Sequence, residues 1–208
     1  MTDADLPRPL ATTTPEALAL LMEGNARYVA NAPLPRDFSA ERASRALGQA
    51  PFATILSCAD SRVAPELAFD QGPGQLFVVR LAGHVLTDEV LASLEFGAGV
   101  LGTSLIVVLG HTSCGAVQAT ISSLRDGTAQ PGHLTALVDA ITPAIEPVLG
   151  GTGDVADRAV RANVRHVVDR VRSSAPILAD LVERGEMDVL GAVYDLATGR
   201  VELITTSR

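Results

Sequence analysis

Phe52-Ala53-Thr54-Ile55-Leu56-Ser57-Cys58-Ala59-Asp60-Ser61-Arg62 is a short apolar run that breaks at a cysteine and then turns polar. A run of this length, rich in β-branched and aliphatic side chains, suits a buried strand. The pattern recurs at Leu105-Ile106-Val107-Val108-Leu109, which leads at once into Gly110-His111-Thr112-Ser113-Cys114-Gly115. Leu76 to Arg80 reads as another strand. The stretch from Thr87 to Leu101 reads as a helix, capped by Thr87 and carrying Asp88 and Glu89 in its first turn, where the helix dipole favours negative charge. Strands separated by helices imply parallel βαβ units buried on both faces, and such sheets gather ligands beyond the carboxyl ends of their strands. The expected fold class is therefore α/β, a central and mainly parallel β-sheet flanked by helices, with both cysteines at its carboxyl edge.

Working outward, Thr14-Pro15-Glu16 reads as N-cap, first-turn proline and early acid of a helix that continues through Leu18, Leu21, Met22, Ala26 and Val29. Ser39 to Leu47, stopped by Gly48, reads as a second helix. Downstream, Ala116 to Leu124, a proline-interrupted stretch from Leu134 to Leu149, Val155 to Ser173 and Ile177 to Arg184 read as helical. Asp188 to Tyr194 and Arg200 to Thr205 read as closing strands. Apolar periodicity resumes after Gly150-Gly151-Thr152-Gly153, so that segment is a loop and not a boundary. The expectation is one domain over 1–208, with 1–48 a helical arm and 49–208 the core.

The composition narrows the chemistry. Of 208 residues, 47% are hydrophobic and 19% charged, enough apolar material for a substantial core. A net charge of -8 offers nothing to a phosphate backbone or an anionic membrane. All 16 basic residues are arginine, which excludes Schiff-base and Walker-lysine mechanisms. The first residues, with Asp3, Asp5 and Arg8, lack a secretory signal, and the longest apolar stretch, Phe96 to Gly110, is too short to span a bilayer. A soluble cytoplasmic protein without nucleic-acid or membrane partners is expected. Two cysteines are too few for a disulfide framework, so their position decides their role.

Thiolate and imidazole are the ligands a borderline ion such as Zn2+ prefers, and a His-x-x-Cys step at a strand-to-helix turn presents both to one ion. His111 and Cys114 form that step, and Cys58 at a neighbouring strand end supplies a third ligand. Structural zinc sites usually close with four ligands, whereas three leave a position for water. Taken singly, each cysteine is better read as a small core hydrophobe. Jointly, at the sheet edge, they favour a metal. Asp60 and Arg62 read as a surface ion pair or, beside a metal, as a carboxylate oriented by a guanidinium fork. Rival patterns are weaker. Gly97-Ala98-Gly99-Val100-Leu101-Gly102 has dinucleotide-binding spacing but ends a helix where the fingerprint must open one. Cys114 as a phosphatase-type nucleophile needs an arginine six positions on, where Thr120 stands. A zinc-stabilised binding module that turns nothing over stays open.

With C-x-D-x-R at Cys58 to Arg62 and H-x-x-C at His111 to Cys114, the sequence resembles the β class of carbonic anhydrases from about Gln49 to Gly115. The resemblance implies one zinc per chain on Cys58, His111 and Cys114, an Asp60–Arg62 dyad beside it, and zinc-bound hydroxide converting carbon dioxide to bicarbonate and a proton. In some members the Asp closes onto the zinc as a fourth ligand. Gln49, nine residues before Cys58, and Ile55, where regulated members carry Trp, imply the unregulated, open-site type. Gln49, Phe77, Phe96 and Gly115 fall where that type contacts substrate, with Phe96 in place of the more usual Tyr. His84 stands where many members have Asn, either as proton shuttle or in a structural hydrogen bond. A homodimer or homotetramer is implied, with the site at the subunit interface and the N-terminal helical arm on the neighbour. A zinc hydrolase of carbonyl sulfide or carbon disulfide would share the same ligands.

Overall fold

The computed structural model describes residues 8–39 and 42–206. Five strands, β1 (Ala53–Ser57), β2 (Leu76–Arg80), β3 (Leu105–His111), β4 (Asp188–Tyr194) and β5 (Val201–Leu203), form one sheet in the order β2-β1-β3-β4-β5. The first four are mutually parallel, and β5 closes the sheet antiparallel to β4. Every residue of β1, β3 and β4 is buried, as central parallel strands require when both faces are covered. The edge strand β2 is only partly covered. Side chains alternate between faces along each strand. Leu56, Ile106 and Val108 join one core with Val117, Ile141 and Val164, while Ile55, Val107 and Leu109 join the other with Ala17, Leu21 and Phe69.

The first of these cores is roofed by α4 (Asp88–Glu95), α5 (Gly115–Asp126), α6 (Leu134–Ile145), α7 (Val155–Arg172) and α8 (Ile177–Glu183). On the opposite face lie α1 (Thr14–Val29) and the short α3 (Pro65–Ala68). The first helix starts one residue earlier than expected, with Thr13 as N-cap: the Glu16 carboxylate turns back to accept the Thr12 and Thr13 amides, each at 3.2 Å. It seats its buried face, Ala17, Leu21, Gly24 and Asn25, on its own chain. Asn25 is fully engaged, donating to the carbonyls of Ala68 at 2.9 Å and Gly199 at 2.8 Å and accepting from the Val201 amide at 2.9 Å.

Several boundaries differ from the sequence reading. The helix expected over Ser39–Leu47 reduces to one turn, α2 (Arg42–Arg45), while Ala40 and Glu41 lie outside the described residues, as do Asp3 and Asp5. The expected Thr87–Leu101 helix divides into α4 and a π-helical turn over Phe96–Val100. That turn presses against β1, where a Cβ on Gly97 would meet Thr54 Oγ1 at 2.4 Å. The Leu134–Leu149 stretch is α-helical only to Ile145 and then tightens into a 3₁₀ turn, Glu146–Val148, where Pro147 has no amide to donate. The last strand covers Val201–Leu203 and not Arg200–Thr205. The strand expected over Leu105–Leu109 continues two residues further, to His111 opposite Tyr194. Two short elements carried no sequence signal: α3 and a 3₁₀ turn over Ala82–His84. Among the described residues no helix is long and apolar enough to cross a membrane.

Candidate metal centre

β1 and β3 are adjacent, with Ser57 opposite Leu109, so Cys58, one residue past β1, comes close to His111, two residues further along β3. The chain then turns through Ser113, held at φ 56°, and Cys114 becomes the N-cap residue of α5. One sulfur, one ring nitrogen and a second sulfur thereby come within 4.8 Å of one another. All three residues are buried, Cys58 being the most exposed at 4%.

The protonation pattern fits a cation. His111 Nδ1 donates to the Thr112 carbonyl at 2.9 Å, which fixes the tautomer with a bare lone pair on Nε2. That buried Nε2 has no hydrogen-bond partner, a costly arrangement unless something electrophilic meets it. The two sulfurs are hydrogen-bonded to each other. The Cys114 thiol, hydrogen-bonded to Cys58, draws the Cys58 thiol far below its usual range, and the same bond, with burial, pushes Cys114 up. A divalent ion in place of the thiol proton resolves both problems, because thiolates and a neutral imidazole are its ligands. Cys58 Sγ also accepts two amides, Gly83 at 3.3 Å and Asp60 at 3.4 Å.

Asp60 lies beside this set, its Oδ2 3.9 Å from His111 Nε2. Arg62 grips it through Nε to Oδ1 at 2.9 Å and Nη2 to Oδ2 at 2.7 Å, with the Arg62 amide also on Oδ1 at 2.9 Å. These hydrogen bonds hold the carboxyl far below the usual carboxylate range, so it is ionised at any working pH. Arg62 Nη2 reaches on to the Ser113 carbonyl at 3.2 Å, tying the two loops together. A further arginine went unassigned in the sequence: Arg80 at the end of β2 donates to the carbonyls of Cys58 at 2.9 Å and Asp60 at 2.7 Å. Its signal was its place at the end of a strand neighbouring the cysteine strand.

The other expected contact residues divide. Gly115 opens α5 next to Cys114 and has open space around it. Gln49, Phe77 and Phe96 lie elsewhere. Phe77 is opposite Thr54 near the amino ends of β1 and β2, three residues before Arg80, roughly 10 Å along the strand from the metal-ligand edge. Phe96 stacks on it with ring centroids 6.0 Å apart, and Gln49, exposed, precedes the same end of β1. One chain therefore does not bring these three to its own metal ligands. His84 is 1% exposed, and burial holds its imidazole down to about 4, which excludes handing protons directly to bulk water.

The carbonic anhydrase family model matches residues 53–201. A carbonic anhydrase of Mycolicibacterium smegmatis is 43% identical over 186 residues, covering 88% of this chain and 89% of that protein. Carbonic anhydrase 2 of Mycobacterium tuberculosis is 44% identical over 189 residues with the same coverage. Among solved structures, the Coccomyxa β-carbonic anhydrase in complex with acetazolamide superposes with a TM-score of 0.71 at 28% identity, covering 91% of this chain and 86% of that one. A family match across most of the chain, with relatives this close over nearly all of it, agrees with the thiolate and imidazole geometry at the sheet edge: the chain belongs to the carbonic anhydrases, in their β class.

Proposed function

We propose that the protein catalyses the reversible hydration of carbon dioxide to bicarbonate and a proton, with one zinc ion on Cys58, His111 and Cys114. The observation that carries this reading is the convergence of two buried cysteine sulfurs and a His111 ring nitrogen within 4.8 Å of one another, with His111 Nε2 left without a hydrogen-bond partner. Zinc, when bound, supplies the Lewis acidity that makes water nucleophilic near neutral pH. The protein does the rest. Asp60, permanently ionised, accepts a hydrogen bond from the attacking water and orients it. Arg62 occupies both Asp60 oxygens and keeps the carboxylate from becoming a ligand itself, which supports the open-site type. Gly115 leaves room for the carbon dioxide oxygens at the start of α5, whose terminus favours developing negative charge.

An apolar wall for carbon dioxide is missing from this edge of a single chain. Gln49, Phe77 and Phe96 supply it from a second copy, whose strand amino ends face the first copy's metal edge. The protein then works as a homodimer or a pair of dimers, with the outward face of the N-terminal arm free to lie on the neighbour. The test combines zinc analysis with a carbon dioxide hydration assay. About one zinc per chain is expected. Cys58→Ser loses most of it, whereas Arg62→Ala keeps it and loses most of the hydration rate. Stoichiometric zinc without hydration would leave a bicarbonate-binding module, and full activity without metal would overturn the reading.

A further inference from the structure

Asn163 sits in the middle of α7, 1% exposed and more than twenty residues from any other part of the site in sequence. Its Nδ2 donates to the Gly83 carbonyl at 3.0 Å and to His84 Nε2 at 3.1 Å. A carbonyl can only accept, so the amide nitrogen must face it, and the His84 proton is thereby placed on Nδ1. The two residues it grips form a turn of uncommon backbone shape: Gly83 has φ 65° and His84 φ 44°. A histidine in the left-handed region is strained and persists where its surroundings hold it there. The turn is also closely packed from above, since a Cβ on Gly83 would meet Ile141 Cδ1 at 2.7 Å and Ala116 Cβ at 3.0 Å. What this turn delivers is the Gly83 amide, which donates to Cys58 Sγ at 3.3 Å.

We infer that Asn163 is a positioning residue for the metal centre: by clamping the Ala82–His84 turn it holds the Gly83 N–H on the Cys58 sulfur and so sets the donor strength of that ligand. The inference rests on the metal reading of Cys58, His111 and Cys114. An N–H···S bond withdraws electron density from a thiolate, weakening its donation and leaving the ion a stronger Lewis acid. Outer contacts of this kind orient and tune metal ligands, and losing one typically costs about 10–100-fold in metal affinity or activity. Of the two bonds Asn163 makes, the one to the Gly83 carbonyl governs the sulfur contact, and the one to His84 secures the strained residue beside it.

The probe is cobalt(II) bound to the full-length protein in place of zinc, read by metal stoichiometry, by the thiolate-to-cobalt charge-transfer band and by the rate of metal loss to excess chelator. Asn163→Leu keeps the volume and removes both donors. It is expected to bind about one cobalt per chain, with the charge-transfer band moved to longer wavelength because the thiolate becomes a stronger donor, and with metal lost about tenfold faster because the sulfur is no longer held in place. His84→Asn, with a residue that tolerates the left-handed region, leaves the Gly83 bond in place and should keep the wild-type band. If Asn163→Leu does not fold, Asn163→Ser, too short to reach both acceptors, is read the same way. An unmoved band and unchanged metal loss in the Asn163 variant that folds would overturn the inference even if its melting temperature fell. So would a shift in His84→Asn as large as in the Asn163 variant. A wild-type protein that takes up no cobalt and shows no thiolate band would instead remove the metal reading itself.

Discussion

His84 is a neutral imidazole by necessity: burial lowers it from 6.5 to about 4, with His111 opposing and Cys58 favouring its charge. In the unfolded chain it titrates near its ordinary value. Between those two values the unfolded state binds a proton that the native state refuses, so the slope of stability with pH is positive there. The contribution is nil above about pH 6.5 and grows unfavourable as pH falls toward about 4, reaching roughly 3 kcal/mol for a group this deeply buried. Urea unfolding at pH 7, 6 and 5 should therefore show the wild type losing stability faster than His84→Asn, which has nothing to titrate. Loss of the metal ligands' protonation balance affects both proteins, so the difference isolates His84, and parallel losses in the two would mean that the ring is charged or solvated in the fold. The site residues were unequally visible in the sequence. Cys58, His111 and Cys114 were legible because cysteine and histidine are scarce in this chain and these three lie at or just past strand ends, and Asp60 and Arg62 because they follow Cys58 within four residues. Asn163 was not, because an asparagine in a helix interior has no pattern of its own and its partner His84 is 79 residues away.

Among the elements, α1 depends on one contact that only glycine allows. A Cβ on Gly24 would lie 1.7 Å from the Phe69 carbonyl oxygen, and backbone cannot yield as a side chain tip can. Gly24→Ala must lift the helix from the end of α3 and with it strain the three hydrogen bonds of Asn25. A cost of about 3 kcal/mol follows, at the upper end for overpacking. For a chain of this length that lowers the melting temperature by roughly 6–12 °C. Calorimetry that found the variant melting with the wild type would show that α1 is not anchored there. The long elements were legible because burial on both faces of β1 and β3 leaves unbroken apolar runs, and α7 carries an apolar stripe at helical spacing. Shorter features were lost because tertiary contact decides them. The π-helical turn at Phe96–Val100 depends on a strand pressing on Gly97, and the Ala82–His84 turn on an amide from α7.

At the scale of the molecule, the metal ligands and the aromatic pair lie at opposite ends of the sheet, and one chain does not bring them together. Phe96 is 43% exposed and Val100 68%, and both line an apolar groove of about 630 Å3 with Ile177. Side chains of this size left open to water gain from a partner, and a second copy placed here would also deliver Phe77 and Phe96 to a site that lacks an apolar wall. The metal, in contrast, draws all three ligands from one chain. Metal binding and catalysis should therefore separate when the copies are parted. Val100→Asp places a charge in the groove without touching a ligand. Sedimentation is expected to show a monomer that retains about one zinc per chain, with the hydration rate reduced on the order of a hundredfold for want of substrate positioning. Rate and mass should recover together at high protein concentration, since association is driven by mass action. A zinc-loaded monomer with wild-type turnover would require every substrate contact to lie on one chain, and Gln49, Phe77 and Phe96 would then have no part in the reaction.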